Sequence, residues 1–220
     1  LTIDLDPQGH LTRSLQFTEN GSYETIYDCV INGSKLQDVS TNVFEGLTAV
    51  PSNLALTRIE VPLSQKIRRE EVLKKILDPI KDQYDFILID TNPTISTLNM
   101  NALVASNHIN VVCETQPYSL AGLGLLVEEM EKFFQDMQLP LSYQIVANKY
   151  ESKTATAQEV LGALRLDYQG DMMDTVIRKS EDINISSKKN LPICASASVK
   201  SAAFEDIRDF VHEVIEKSAA

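Results

Sequence analysis

Two short apolar runs, each ending abruptly in an acid, constrain this chain most. Phe86, Ile87, Leu88 and Ile89 run straight into Asp90, and Thr91, Asn92 and Pro93 then break the extended backbone. Short runs of this kind are predicted to be fully buried strands of a parallel sheet. A carboxylate at the carboxyl end of such a strand faces the crevice where open α/β sheets bind ligands. A magnesium ion carrying phosphates seeks an anion there. A strand that simply ends on a solvated aspartate is the alternative. The first residues repeat the pattern: Leu1 to Asp4 read as a strand, and residues 5 to 10, with Asp6, Pro7, Gln8 and Gly9, as a turn. Two buried strands that deliver carboxylates to one sheet edge make an arrangement suited to a nucleotide.

The remaining elements alternate between the two periods. Thr12 to Phe17 is predicted to be a short helix, and Ser22 a cap for a helix through Ile26 and Val30 that ends at Asn32-Gly33. Gly46 to Asn53 reads as a strand stopped by Pro51, with a helix from about Asn53. Ser64 to Ile80 reads as one amphipathic surface helix, and Thr94 to Ser106 as another. Strands are expected over His108–Thr115, Gln144–Tyr150 and Asp174–Arg178. Helices are expected from Ser119 to Met137, from Thr154 to Leu166 and from Ser198 to Lys217, with a polar loop over 179–192. The last helix is expected to bury Phe204, Ile207, Phe210, Val211 and Val214. Strands alternating with helices imply an α/β fold, a mostly parallel sheet with helices on both faces. With no linker or internal repeat, residues 1–220 are expected to form a single domain.

Length and composition fit that reading, since 220 residues, 43% of them hydrophobic, suffice for a substantial core. No apolar run is long enough to span a bilayer. Cys29, Cys113 and Cys194 are scattered without metal spacing, which suits a reducing cytoplasm. A net charge of -11 argues against a protein coated in positive charge for nucleic acid, but not against a local basic patch.

Asp-Leu-Asp-Pro-Gln-Gly followed by Leu11 and Thr12 resembles the segment after the P-loop helix in ParA-type partition ATPases, the deviant Walker family. Asp90-Thr91-Asn92-Pro93 resembles that family's Walker B and switch II segment, usually Asp-x-Pro-Pro, with Asn92 where the first proline is common. The resemblance runs from Leu1 to the terminal helix. It implies the P-loop NTPase fold with ATP and Mg2+ as cofactors. It implies that Asp6 polarises the attacking water, that Asp90 holds magnesium through a water, and that Asp4 lies in the magnesium or switch neighbourhood. Asp4 as a strand-end acid hydrogen-bonded to backbone is the alternative. Pro7, Gln8, Thr91, Asn92 and Pro93 fall in the implied switches. Asn148 falls where relatives contact adenine. Thr175-Val176-Ile177-Arg178 resembles the family's Thr-Val-Ile-Pro-Arg-Asn stretch, with Arg178 in the proline position and Lys179 in the arginine position.

The family's defining loop, Gly-x-x-x-x-Gly-Lys, does not occur in these residues. A strand, loop and helix of about 35 residues would be needed to supply it. They are expected upstream of Leu1, so the chain is expected to be a fragment lacking the first strand, P-loop and first helix, and a poor ATP binder. The resemblance further implies a homodimer, sequence-independent DNA binding and a ParB-like or other cargo-adaptor activator, in a nucleoid-associated cytoplasmic protein. Lys179, Lys188, Lys189 and Lys200 are the candidate phosphate contacts, with ordinary solvated loop lysines as the alternative. A MinD-like membrane ATPase would end in a basic amphipathic helix, whereas Glu205, Asp206, Asp209, Glu213 and Glu216 make this one acidic and weigh against a membrane. A non-enzymatic binding module is a further alternative. Asn148-Lys149-Tyr150-Glu151 differs by one methylene from a guanine-reading Asn-Lys-x-Asp, which keeps a GTPase as a minor alternative.

Overall fold

The computed structural model describes residues 1–17, 23–94, 96–198 and 200–218, so the expected Ser22 cap lies outside the described residues. The chain divides into two compact units, Leu1–Ser106 and Asn107–Ala220.

The first unit opens with strand β1 (Thr2–Asp4), helix α1 (His10–Ser14) and a π-helical turn over Asp28–Asn32 closed by Gly33. Helix α2 (Leu36–Val39) leads into β2 (Thr41–Phe44), which turns at Gly46 into β3 (Leu47–Val50). A 3-10 helix over Leu54–Arg58 follows, capped by the Asn53 side chain, which accepts from the Ala55 N–H. Helices α3 (Glu60–Ser64) and α4 (Val72–Leu77), strand β4 (Leu88–Asp90) and helix α5 (Thr97–Ala105) complete the unit. The sheet order is β2-β3-β1-β4, with β1 parallel to both neighbours and β2 antiparallel on the rim. Leu1, Ile3 and Leu5 carry the central strand into a core with Val50, Leu63, Leu73 and Leu98.

Two expectations fail here. Ser64 to Ile80 is not one helix: Arg68 takes a left-handed conformation, φ 54°, a 3-10 turn fills Arg69–Glu71, and α4 starts afresh at Val72. The Arg68 Nε donates to Glu71 Oε1 at 2.9 Å, a local ring that favours the break over a continuous helix. The run ending at Asp90 is not fully buried either. Strand β4 is the sheet's last strand, and Phe86 and Leu88 are 48% and 58% exposed.

The second unit consists of β5 (Ile109–Glu114), α6 (Pro117–Met137), β6 (Tyr143–Tyr150), α7 (Ala155–Asp167), β7 (Met172–Arg178), α8 (Glu181–Lys188), α9 (Ile193–Ser196) and α10 (Ala202–Ser218). Its sheet is parallel throughout, in the order β5-β6-β7. Ile145, Val146 and Ala147 are consecutive and fully buried, as a strand covered on both faces requires. Ile207, Phe210 and Val214 of α10 pack on Val146, Met173 and Ile177, while Val211, expected inside, is 44% exposed. The expected polar loop over 179–192 contains α8. Ser180 caps it by accepting from the Asp182 N–H, and Glu181 and Asp182 place acid in its first turn.

Candidate functional site

Strands β1 and β4 run parallel with Asp4 directly opposite Asp90, and the Leu5 N–H donates to the Asp90 carbonyl at 2.8 Å. Both strands therefore end together, and Asp4, Asp6 and Asp90 come to one edge of one sheet. Their surroundings differ sharply.

Asp4 is 1% exposed and its carboxylate is saturated. Oδ1 accepts from the Asp6 N–H at 2.9 Å, and Oδ2 from the Thr12 N–H at 2.8 Å and the Thr12 hydroxyl at 2.7 Å. The carboxylate thus folds the segment between β1 and α1 into a closed turn. Gly9 makes the turn possible by taking φ +62°, and a Cβ there would stand 3.3 Å from Ser52 Oγ. Ser52, in the loop after β3, ties the turn down from the side. Its hydroxyl donates to the Asp6 carbonyl at 2.7 Å, and its N–H donates to Thr12 Oγ1 at 2.9 Å. Asp6 is half-buried at the outer rim of this turn, with Oδ1 accepting from the Gln8 N–H at 2.9 Å. That bond orients the carboxylate and leaves Oδ2 without a partner among the described residues.

Asp90 is the opposite case: it is exposed, as a strand-end acid in contact with solvent, and neither carboxylate oxygen accepts a hydrogen bond from the described residues. Crowding by surrounding protein pushes its carboxyl up to about 6, and the charges of Asp4 and Asp6 push the same way, while His10 at the start of α1 opposes them. Negative charge gathered without a compensating cation fits a divalent ion. Among the described residues no group of three or more His, Cys, Asp or Glu is placed to hold a metal. A lone free carboxylate suits a magnesium ion that keeps most of its waters. The phosphate side of such a ligand has no matching loop, because no residue stretch here forms a Gly-Lys cradle.

The loop that follows Asp90 is held by helix α5. Asn99, 9% exposed on the first turn of α5, places its amide Nδ2 2.7 Å from the Asn92 carbonyl and 2.8 Å from Asn92 Oδ1, and also donates to the Thr94 carbonyl. The Thr94 hydroxyl donates to Asn92 Oδ1 at 2.6 Å. Helix α5 is itself pinned. Ser96 caps it, Glu60 of α3 accepts from the Thr97 and Leu98 N–H groups at 3.2 Å each, and buried Asn101 bridges the Arg69 carbonyl and the Leu73 N–H. Ser52 and Glu60 are invisible as site residues in the sequence because their partners lie 46 and 37 positions away. Only the polar Asn99 and Asn101 on an otherwise apolar helix give a signal.

In the second unit, Asn148 stands opposite Glu114 near the ends of β6 and β5. Its Oδ1 accepts from the Lys149 N–H at 2.8 Å, and Nδ2 has no partner among the described residues. Arg178 is committed elsewhere: its guanidinium grips Asp206 of α10, with Nη2 to Oδ1 at 2.6 Å, and its backbone N–H donates to the same carboxylate at 2.9 Å. Lys179 pairs with Glu151 at 2.8 Å. Lys188, Lys189 and Lys200 are exposed and form no ion pair among the described residues. Cys29 and Cys113 are buried thiols and Cys194 is exposed; all three are free.

A family model described as an AAA domain matches residues 1–143. The chain belongs to that family, among the ParA/MinD-type P-loop ATPases. The cell division protein PomZ of Myxococcus xanthus is 29% identical over 222 residues, covering 100% of this chain and 69% of PomZ. The chromosome-partitioning ATPase Soj of Treponema pallidum is 29% identical over 217 residues, covering 98% of this chain and 84% of Soj. Among solved structures, cobyrinic acid a,c-diamide synthase of Mycobacterium smegmatis, crystallised with an ATP analog and magnesium, matches with a TM-score of 0.75 at 24% identity, over 86% of this chain and 78% of that one. The α/β architecture with its parallel strands is thus that of ParA-like P-loop ATPases. No helix among the described residues of this ParA/MinD-type chain is long and apolar enough to cross a membrane.

Proposed function

We propose that this protein is a ParA-type ATPase that positions or partitions DNA or another cargo by ATP-dependent dimerisation and sequence-independent DNA binding in the cytoplasm. The observation that carries the reading is the sheet edge to which β1 and β4 bring Asp4, Asp6 and an exposed Asp90 that has no hydrogen-bond donor among the described residues. Relatives named for chromosome partitioning and cell division support it. Magnesium, when bound, supplies charge neutralisation for the phosphates. Asp90 would be the residue that holds the ion, as an outer carboxylate suited to a cation that sheds its waters reluctantly. Asp6, fixed through Oδ1 by the Gln8 N–H, presents Oδ2 to hold and orient the attacking water and to take up its proton. Such positioning is most of what a protein contributes to phosphoryl transfer. Thr91 to Thr94 sense the γ-phosphate, and Asp4 keeps the β1 turn in register behind them.

In the second unit, the free amide of Asn148 is suited to the edge of adenine, which both donates and accepts. Arg178 and Lys179, each held by an acid, would have to leave Asp206 and Glu151 to reach a nucleotide. Lys188, Lys189 and Lys200, exposed and without an ion pair among the described residues, are the candidate contacts for DNA phosphates, and Lys179 joins them only by releasing Glu151. A ParB-like or other adaptor stimulates hydrolysis.

The grip on the triphosphate requires a Gly-Lys loop that these 220 residues do not contain. They are therefore expected to bind ATP poorly by themselves, and calorimetry on this chain that finds micromolar binding would contradict that. Asp6→Ala in the full-length protein tests the role assigned to that acid. It is expected to abolish turnover and preserve nucleotide-dependent dimers, whereas loss of dimers together with turnover would make Asp6 structural. A salt-sensitive shift of DNA by the ATP-loaded protein, lost in the Lys188→Ala/Lys189→Ala variant, is the expected sign of the basic patch.

A further inference from the structure

The segment after Asp90 departs from the Asp-x-Pro-Pro pattern at one position, Asn92, and the structure pairs that departure with a second asparagine. A proline at position 92 would fix φ and restrict the residue before it, so that the loop is held by covalent geometry. Asparagine removes that restraint. In its place stands Asn99, whose amide faces the Asn92 carbonyl, Asn92 Oδ1 and the Thr94 carbonyl, with Thr94 Oγ1 at 3.5 Å. Every neighbour of Nδ2 is an acceptor, so the group pointing into the loop is the donor end of the amide. The Thr94 hydroxyl closes the ring by donating to Asn92 Oδ1 at 2.6 Å.

The anchor is firm on the other side. Asn99 is buried, its backbone N–H donates to the Ser96 hydroxyl at 3.2 Å, and Glu60 satisfies the next free N–H groups of α5. The clasp therefore ties the loop to a helix that is itself tied to α3.

We infer that Asn99 is a positioning residue that holds the loop after Asp90 in place of the missing proline. Its relevance to turnover rests on the proposed role of that loop as the γ-phosphate sensor; its existence does not. Removing a polar clasp of this kind is expected to raise the fast local motion of the loop.

The test uses 15N relaxation at Thr91 and Thr94 in the nucleotide-free protein, with far-UV circular dichroism to check that α5 stays folded. Asn99→Ala is expected to drop the order parameters from about 0.85 to below about 0.6. Asn99→Asp, which keeps the volume but turns the donor into an acceptor facing acceptors, is expected to do at least as much. In an Asn92→Pro background, Asn99→Ala is expected to leave the order parameters near their original values. Unchanged order in both single variants, or the same loss with and without the Asn92→Pro substitution, overturns the clasp. In the full-length protein, Asn99→Ala is expected to lower kcat with little change in KM and to be rescued by Asn92→Pro. A loosened loop with unaltered kcat would leave the clasp standing and remove the γ-phosphate role from the loop.

Discussion

The turn after β1 and the loop after β4 begin from facing residues of adjacent parallel strands, Asp4 and Asp90, yet they treat their acids in opposite ways. Around Asp4 the backbone curls back, so that two N–H groups and a hydroxyl point at the carboxylate. Around Asp90 no donor arrives from the described residues, and the loop is instead held from behind by Asn99. A buried carboxylate with its donors in place is architecture. An exposed carboxylate without protein donors is left to water and is open to a hydrated cation. Residue type and strand position are the same in the two cases, and the supply of hydrogen-bond donors separates a scaffold acid from a ligand-handling one.

The largest effect expected from this contrast is on stability. Asp4→Ala strands the Thr12 N–H, the Thr12 hydroxyl and the Asp6 N–H in a buried site, and is expected to cost about 3 kcal/mol in urea unfolding. A loss under about 1 kcal/mol would erase the distinction drawn between the two acids. Next is the turn itself. Gly9→Ala meets both a positive φ and Ser52 Oγ at 3.3 Å, and is expected to cost about 1–2 kcal/mol. An unchanged unfolding midpoint would mean that the turn has an alternative backbone path.

The smallest effect is on the pH dependence, because Asp90 is exposed and solvent screens its charge. Asp90 binds its proton more tightly in the folded protein, at about 6 against an ordinary 3.8. The stability it contributes is therefore fully present below the ordinary value and is lost as pH rises through about 6. In magnesium-free buffer, Asp90→Asn is expected to flatten that loss, so that the variant matches the parent near pH 4 and melts slightly higher at pH 7. A variant that melts lower at pH 7 would show that Asp90 carries a structural bond after all.

The sequence shows the acids well and their environments badly. Strand β1, the stop at Pro51, the helical start near Asn53 and the span of α6 follow from local chemistry, and all are found close to where they are expected. An apolar run does not say whether its strand lies inside a sheet or on its rim, so Phe86 and Leu88 look like core residues in the sequence and are half-exposed or more. Helical periodicity over 64–80 hides the left-handed Arg68, because one residue's φ leaves no mark on the pattern of apolar side chains around it. Helix α8 reads as loop although Ser180, Glu181 and Asp182 spell a capped first turn; its polar composition masks the cap. Asn99 and Ser52 act on residues 7 and 46 positions away, distances at which one sequence holds no pairing information.

The most direct measurement is a carboxyl 13C NMR pH titration of Asp90, first without metal and then with millimolar magnesium. Asp90 is expected to titrate near pH 6 in the absence of metal and to move down toward the ordinary carboxylate range as magnesium is added. An Asp90 that titrates near its ordinary value of 3.8 and ignores magnesium would contradict its assignment as the acid kept free for a cation.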